Sequence, residues 1–189
     1  MEEITKEALK YLENNHTKVE VKEGFMGNYY SHLIDTIYIA ENFEGKNIPK
    51  SIKHISPKVA QLITICHECI HSMQNQTLHS MNTIFSNLSI ILSILSIAWG
   101  VFGERPLWIC ITAIITTLIA IIMRLVLEVG AINDSTKLAF ELVKKGIITD
   151  VVEQDVKVGR EFIHKHKFMA LSQMIIDKII FLVLILLVK

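Results

Sequence analysis

The apolar positions of the chain are concentrated after residue 82, where two long stretches lack any charged side chain. These stretches are residues 83–103 and residues 107–123, and a Gly-Glu-Arg-Pro sequence at 103–106 separates them. A helix needs about 20 apolar residues to cross the hydrocarbon core of a bilayer, so each stretch is long enough if Arg124 reaches the membrane surface. One buried core helix is the alternative, but two such stretches in tandem predict a transmembrane helical hairpin.

The first 55 residues are polar and contain two different periodicities. Apolar residues recur at helical spacing near the start, at Ile4, Ala8, Leu9 and Leu12, which predicts a short amphipathic helix. Val19 and Val21 alternate with charged residues, and a second strand-like run covers residues 34–39. Gly24 and Gly27 lie between the two runs, so we expect a small strand pair.

A further helix is predicted to begin at Ser56-Pro57. Serine is a good N-cap, and proline at the first helical position loses no hydrogen bond. The apolar spacing then predicts a helix from Val59 to about Gln74. Its last turns contain His67-Glu68-Cys69-Ile70-His71, an HExxH sequence.

The region after the hairpin is predicted to contain two more helical segments. The second membrane helix should continue into water and end at residues 144–146, because lysines suit a helix C-terminus and glycine caps it. Another helix is expected from Asp150 to about Lys167. Residues 168–188 are mostly apolar and form a third helix that either spans or lies in the interface, since the strictly apolar run 179–188 is too short to cross alone.

These patterns divide the chain into four portions. They are a cytoplasmic portion with the strand pair and the HExxH helix (residues 1–82), the hairpin (83–127), cytoplasmic helices (128–167) and a C-terminal membrane helix (168–189). A hairpin returns the chain to its starting side, and both flanking portions carry lysines near the membrane. The positive-inside rule therefore predicts a multi-pass protein of the cell membrane with its bulk in the cytoplasm.

Composition and charge exclude several classes of protein. Hydrophobic residues make up 51% of the 189 positions and the mean hydropathy is +0.41, an excess that the membrane stretches explain. The formal net charge is zero, so no nucleic-acid partner is expected. Three cysteines are too few for a disulfide framework, and the charged N-terminus lacks the apolar core of a signal peptide.

The HExxH sequence indicates a metal centre. His67 and His71 are four residues apart, so their rings share one face of a helix and can meet one zinc ion. Glu68 lies beside them and is placed to act as the base on a zinc-activated water. The alternative is a solvated helix face that carries two histidines.

Glu128 is the best candidate for a third ligand. It follows a long apolar run, where a carboxylate is costly without a partner, and the hairpin returns it to the level of the HExxH helix. The alternative is a simple ion pair with Arg124, four residues earlier on the same helix face. Weaker candidates for the third ligand are Asp134, Glu141, His164 and His166.

The other polar and cysteine residues have less defined roles. Cys66 and Cys69 point away from the face of the two histidines, which favours small buried core residues. Asn133 and Asp134 could orient a ligating histidine. Candidate oxyanion stabilisers are Tyr29, Tyr30, His32, His164 and His166. Loop or surface positions are expected for His16, His54 and His79.

The order of these features resembles the bacterial membrane neutral zinc metallopeptidases, the YugP-like family. The similar features are the strand pair, HExxH-x-x-Gln at residues 67–74, the hairpin, Glu-x-x-Ala at 128–131, Lys-Lys-Gly-Ile-Ile at 144–148 and the final apolar helix. The resemblance covers residues 19–189. The membrane heat-shock and prenyl-protein metalloproteases are more distantly similar, because they also place two membrane helices between HExxH and the ligand glutamate.

The resemblance implies a gluzincin-like centre with one Zn²⁺ per chain. It implies His67, His71 and Glu128 as ligands and Glu68 as the base. The expected fold is a mainly α membrane protein with a small α+β, zincin-like cytoplasmic portion.

One departure from the family lies after Glu128. The family usually has Asp or Asn two residues later, where this chain has Gly130. The more distant group prefers Asp four residues later, where this chain has Ile132. The carboxylate that supports the metal ligands is therefore missing or displaced to Asn133 or Asp134.

The expected function is hydrolysis of peptide bonds in a peptide or protein substrate at the lipid bilayer. The strand near residues 37–39 could pair with an extended substrate along its edge. One alternative is a zinc-binding membrane scaffold with weak or no turnover, and another is a metal-free membrane adaptor.

Overall fold

A computed structural model of the protein describes residues 1–23, 27–40, 55–103 and 106–187. The helices are α1 (Glu2–Tyr11), α2 (Pro57–Met73), α3 (Gln76–Phe102), α4 (Leu107–Lys144) and α5 (Glu153–Leu187). The strands are β1 (Lys18–Lys22), β2 (Tyr29–Ser31) and β3 (Thr36–Ala40). The prediction of a mainly helical protein with a small sheet and long apolar helices is confirmed.

The sheet has three strands in the order β1-β3-β2. β1 runs parallel to β3, whereas β2 is antiparallel to it. The strand pair predicted from the sequence is β1 with β3, and β2 was not predicted because three residues are too few to show an alternation. β3 has a neighbour on each side, so the expectation that it offers its edge to a peptide is wrong. Of the described strands, β1 and β2 lie at the edges.

Two compact units make up the chain, and the first contains Met1–Gln76 and Val129–Ala170. Its core surrounds α2, whose buried face carries residues such as Leu62, Ile65 and Cys66. Leu142 of α4 and Val156 of α5 belong to the same core. The apolar face of α2 is therefore covered from both the sheet side and the later helices, which leaves its polar face to carry the histidines.

Gly159 lets α5 approach α2 closely in this core. A Cβ atom at this position would lie 2.8 Å from Cγ1 of Val59 and 3.3 Å from a methyl of Ile55. Any larger side chain must displace these apolar groups.

The ends of the long helices follow local chemistry. α4 ends at Lys144, and Gly146 adopts a φ of +70°, as predicted for a glycine that closes a helix. The segments expected at 150–167 and 168–188 form the single helix α5. The chain has no glycine or proline after Gly159, so nothing in the backbone interrupts the helix there.

The second unit contains Thr77–Glu128 and Leu171–Lys189. Small and polar residues are buried inside it, whereas large apolar residues are exposed on it. The buried set includes Ser89, Ser93, Ser96, Ala113, Thr117 and Ala120, and the exposed set includes Ile84, Ile91, Ile115 and Ile122. Small residues at helix contacts and apolar residues outside are typical of membrane helices.

Three helices in the described part of the chain, α3, α4 and α5, are long and apolar enough to cross a membrane. Several hydroxyls in the second unit donate to carbonyls of their own helices, as when Thr117 donates to the carbonyl of Ala113. These properties are consistent with a membrane protein.

Gly159→Leu should destabilise the first unit, because the added side chain has to displace Val59 and Ile55. Overpacking of this kind costs about 1–3 kcal/mol. Thermal unfolding of the purified protein in detergent measures the effect, with Val158→Leu as the matched control at an exposed neighbouring position. Equal melting temperatures for the two variants would contradict the close packing of α5 on α2.

Candidate metal centre

The two histidine rings of the HExxH sequence converge on the polar face of α2. Their Nε2 atoms are 3.0 Å apart, and the rings are perpendicular with centroids 4.5 Å apart. Two nitrogens bound to one tetrahedral ion at 2.0–2.1 Å would be about 3.3 Å apart. His67 and His71 are therefore arranged as two ligands of one ion require.

Gln74 sets the role of the two nitrogens of His71. Its Oε1 lies 2.8 Å from Nδ1 of His71. An amide oxygen can only accept, so Nδ1 carries the hydrogen and Nε2 of the neutral ring presents its lone pair. Metal-binding histidines usually donate their other N–H to an acceptor in this way. The sequence contained Gln74 only as part of a motif, and its spacing of three residues from His71 was the available signal.

Glu68 is held by the sheet. The side chain is 9% exposed, and its Oε2 accepts a 2.7 Å hydrogen bond from the backbone N–H of Tyr30 in β2. Hydrogen bonds to a charged acceptor are stronger than neutral ones. The expected base therefore has a defined orientation relative to α2, and no side-chain pattern could have revealed the backbone donor.

Tyr30 is itself anchored at its other end. Its hydroxyl donates to Oδ1 of Asp35 at 3.0 Å. Burial, followed by the hydrogen bond to Asp35, raises the pKa of Tyr30 to about 12. The hydroxyl, a candidate oxyanion stabiliser, is thus engaged by Asp35, and the backbone N–H is the group of Tyr30 that reaches Glu68.

A chain of hydrogen bonds continues from Asp35 to the end of α2. Thr17 donates to the same oxygen of Asp35 at 2.8 Å, and the Asn14 amide donates to Thr17 at 2.9 Å. The Asn14 amide also donates to Ser72 at 3.0 Å, next to His71 in the chain. This network joins the strand that holds Glu68 to the helical turn that holds the histidines.

Glu128 forms the ion pair that the sequence offered as one alternative, and it also lies close to the two histidines. It is 2% exposed, and its Oε1 forms a 2.8 Å ion pair with Arg124. Ligand atoms of His67, His71 and Glu128 all lie within 4.8 Å of one another. A carboxylate has two oxygens, so the ion pair leaves it able to bind a metal. The three residues form a group that could hold a metal ion.

The weaker candidates for the third ligand are placed elsewhere. Among the described residues, no other group of three metal-binding side chains comes together in this way. Asp134 pairs with Lys137 at the surface, and His164 lies 3.4 Å from the hydroxyl of Thr136. His166 contacts the carbonyl of Phe162. The ion-pair partner of Asp134 is thus Lys137, not His67 or His71.

The metal-binding group contains none of the other described histidines. His16 is exposed, as expected, whereas His79, expected in a loop or at the surface, is a half-buried residue of helix α3. Tyr29 stacks on Tyr38 with ring centroids 4.9 Å apart. His54 lies outside the described residues.

The chemistry of the donor set fits zinc. Two imidazole nitrogens and one carboxylate oxygen are a common set for catalytic zinc and leave one position for water or substrate. The same set also suits other divalent first-row metals.

Cys66 and Cys69 belong to the core, as predicted. Both side chains are fully buried among the apolar residues around α2. Burial, and then the neighbouring Cys69, raises the pKa of the Cys66 thiol well above its usual range. Burial and the charge of Glu68 raise the pKa of Cys69 to about 12. Neither thiol is poised to be a thiolate ligand.

Comparisons of the chain with protein-family models, curated proteins and solved structures give no match. The family resemblance therefore depends on the residues described above and remains an expectation.

Native Cys66 and Cys69 should resist alkylation by a water-soluble maleimide at neutral pH. Their burial excludes the reagent, and their raised pKa values leave little thiolate to react. Peptide mass spectrometry after labelling measures this, with Asn15→Cys as an exposed positive control and protein unfolded in SDS as the upper limit. Labelling of Cys69 in the folded protein as fast as at position 15 would contradict the core assignment.

Proposed function

We propose that the protein is a membrane-bound zinc-dependent endopeptidase. The observation that carries this proposal is the meeting of His67, His71 and Glu128, with Glu68 held beside the two histidines. Two imidazoles, a carboxylate and an adjacent glutamate match the parts that metal-assisted amide hydrolysis requires.

Each residue of the centre has a defined role in this proposal. His67, His71 and Glu128 would hold the ion. Zinc, when bound, supplies a Lewis acid that polarises the scissile carbonyl and acidifies water. Glu68 accepts a proton from the attacking water and passes it to the leaving amine.

The contact with Tyr30 suits Glu68 to this role. A carboxylate has two oxygens, so the hydrogen bond from Tyr30 orients the group and leaves it able to accept a proton. Glu68 is also largely buried, which keeps bulk water from competing for the proton.

The sheet suggests where an extended peptide would bind. Extended substrates add to the edge of a sheet through main-chain hydrogen bonds. β3 is paired on both sides, so the edge strand β2 takes its place in the proposal, because its N–H at Tyr30 already reaches Glu68. The apolar helices would keep this centre at the cytoplasmic face of the cell membrane, where peptide or protein substrates meet the bilayer.

A second candidate function is a zinc-binding membrane scaffold with weak or no turnover. The observation that favours it is the partner of His71, which is the neutral amide of Gln74. A carboxylate partner would make the ligand more basic than an amide does. Turnover by the metal-loaded protein separates the two candidates.

Glu68→Gln should retain zinc and lose proteolysis. Removal of a general base costs about 10²–10⁴-fold in rate, whereas glutamine preserves the size of the side chain and its contact with Tyr30. Metal analysis and cleavage of an unstructured protein, both in detergent, measure the two effects. Glu161→Gln, at an exposed position of α5, serves as the control.

Wild-type protein without zinc, purified under non-chelating conditions, would overturn the proposal. Cleavage that survives Glu68→Gln would remove Glu68 as the base.

Glu128→Gln should weaken zinc binding by more than the roughly 10–100-fold that loss of an indirect partner causes. The charged oxygen donor is lost, and Arg124 keeps only a neutral partner. Zinc competition with a chromogenic chelator measures the affinity. Asp134→Asn is the control, because its exposed carboxylate pairs with a surface lysine. Equal affinities in the two variants would exclude Glu128 as a ligand.

A further inference from the structure

Gly130 lies in the middle of α4, where the backbone conformation does not require a glycine. Its φ is not positive, unlike that of Gly146. Glycine inside a helix is less favourable than alanine, because it loses more backbone freedom on folding. Such a position needs a packing reason.

The packing reason is the side chain of Gln74. A Cβ atom at position 130 would lie 3.1 Å from Nε2 of Gln74, and among the described residues, apart from the two chain neighbours, no other side chain comes within 4 Å of it. This distance is shorter than an ordinary van der Waals contact. The absence of a Cβ at position 130 therefore gives the Gln74 amide room, and with a Cβ there the amide would have to move by a few tenths of an ångström.

The opposite end of the same amide reaches the metal centre. Oε1 of Gln74 accepts from Nδ1 of His71 at 2.8 Å, while Nε2 lies against Gly130. The amide plane is rigid, so a displacement at Nε2 moves Oε1 as well. A change in α4 is thereby transmitted to the ring of His71.

We infer that Gln74 and Gly130 are a matched pair that positions His71. Gln74 fixes the tautomer and orientation of the ring, and Gly130 provides the place where the Gln74 amide lies. The relevance of the pair to hydrolysis rests on the proposed function, but its effect on the ring does not.

A double-mutant cycle tests the pairing through zinc affinity. Gln74→Ala should weaken zinc binding about 10–100-fold, the usual effect of losing a partner of a metal-bound histidine. Gly130→Ala should weaken it about 3–10-fold by displacing the amide, yet leave the melting temperature equal or higher, because alanine favours the helix. In the Gln74→Ala background, Gly130→Ala should change affinity by less than about twofold, since no amide remains to displace.

A rescue variant at position 74 provides a further check on zinc affinity. Gln74→Glu keeps an acceptor for Nδ1 and should restore zinc affinity to at least the wild-type value. Additive effects of Gly130→Ala and Gln74→Ala, or unchanged affinity in Gln74→Ala, would overturn the inference.

A second measurement needs no metal. In ¹⁵N-histidine NMR spectra of the metal-free chain at about pH 8.5, well above the ordinary histidine pKa, His71 should be the Nδ1–H tautomer. Gln74→Ala should produce a mixture of tautomers, and an unchanged tautomer would overturn the inference even if zinc binds. Wild-type protein that binds no zinc but shows this tautomer change would contradict the proposed function and support the pair.

Discussion

A helical repeat of 3.6 residues places His67 and His71 on one face of α2, and this constraint organises the surrounding structure. The two Nε2 atoms are 3.0 Å apart, a hydrogen-bond distance if one of the two rings carries its hydrogen on Nε2. Gln74 holds one ring through its far nitrogen, and the sheet holds the neighbouring Glu68 through Tyr30. The opposite face of α2 is fixed by the apolar core. Helix α2 thus has one face in the apolar core and one face at the polar centre. A substitution that shifts the backbone on the apolar face would also shift the histidines.

The burial of Glu128 is the second constraint. A carboxylate that is almost fully buried is costly unless it is paired. Arg124 provides a pair within the same helix, and the Arg124 side chain remains 43% exposed, so the arginine can keep part of its hydration. The desolvation penalty of this pair is therefore smaller than that of a fully buried ion pair. Because Arg124 offsets part of its charge, Glu128 would offer a metal ion a less negative oxygen than an unpaired carboxylate.

The features predictable from sequence were those with a local cause. The HExxH helix, the burial of Cys66 and Cys69, and the end of α4 near Gly146 all follow from periodicity or from a residue with a special backbone preference. The strand β2 was missed because three residues show no periodicity. The N-cap role expected of the Ser56 side chain is not observed, although proline does begin α2.

The sequence could predict only those residues of the metal centre whose positions follow from helical spacing or from the return of the hairpin. His67, His71 and Glu68 share one turn, and Glu128 could be proposed because a hairpin returns the chain. The N–H of Tyr30 is a backbone group with no sequence signature. Gly130 and Gln74 are far apart in the chain, and their contact depends on how α4 lies against the end of α2, which spacing along one helix does not reveal.

Gln74 also closes α2, since its backbone N–H donates to the carbonyls of Ile70 and His71. The residue that ends the helix is therefore the residue that orients a metal ligand. Helix ends fray with free energies far below that of global unfolding. Opening of this one turn would therefore disorder the donor set without unfolding the rest of the chain. An ion that binds only the closed turn stabilises the closed turn by mass action. Binding of an ion should therefore slow the exchange of the backbone amide hydrogens in the last turn of α2 with solvent.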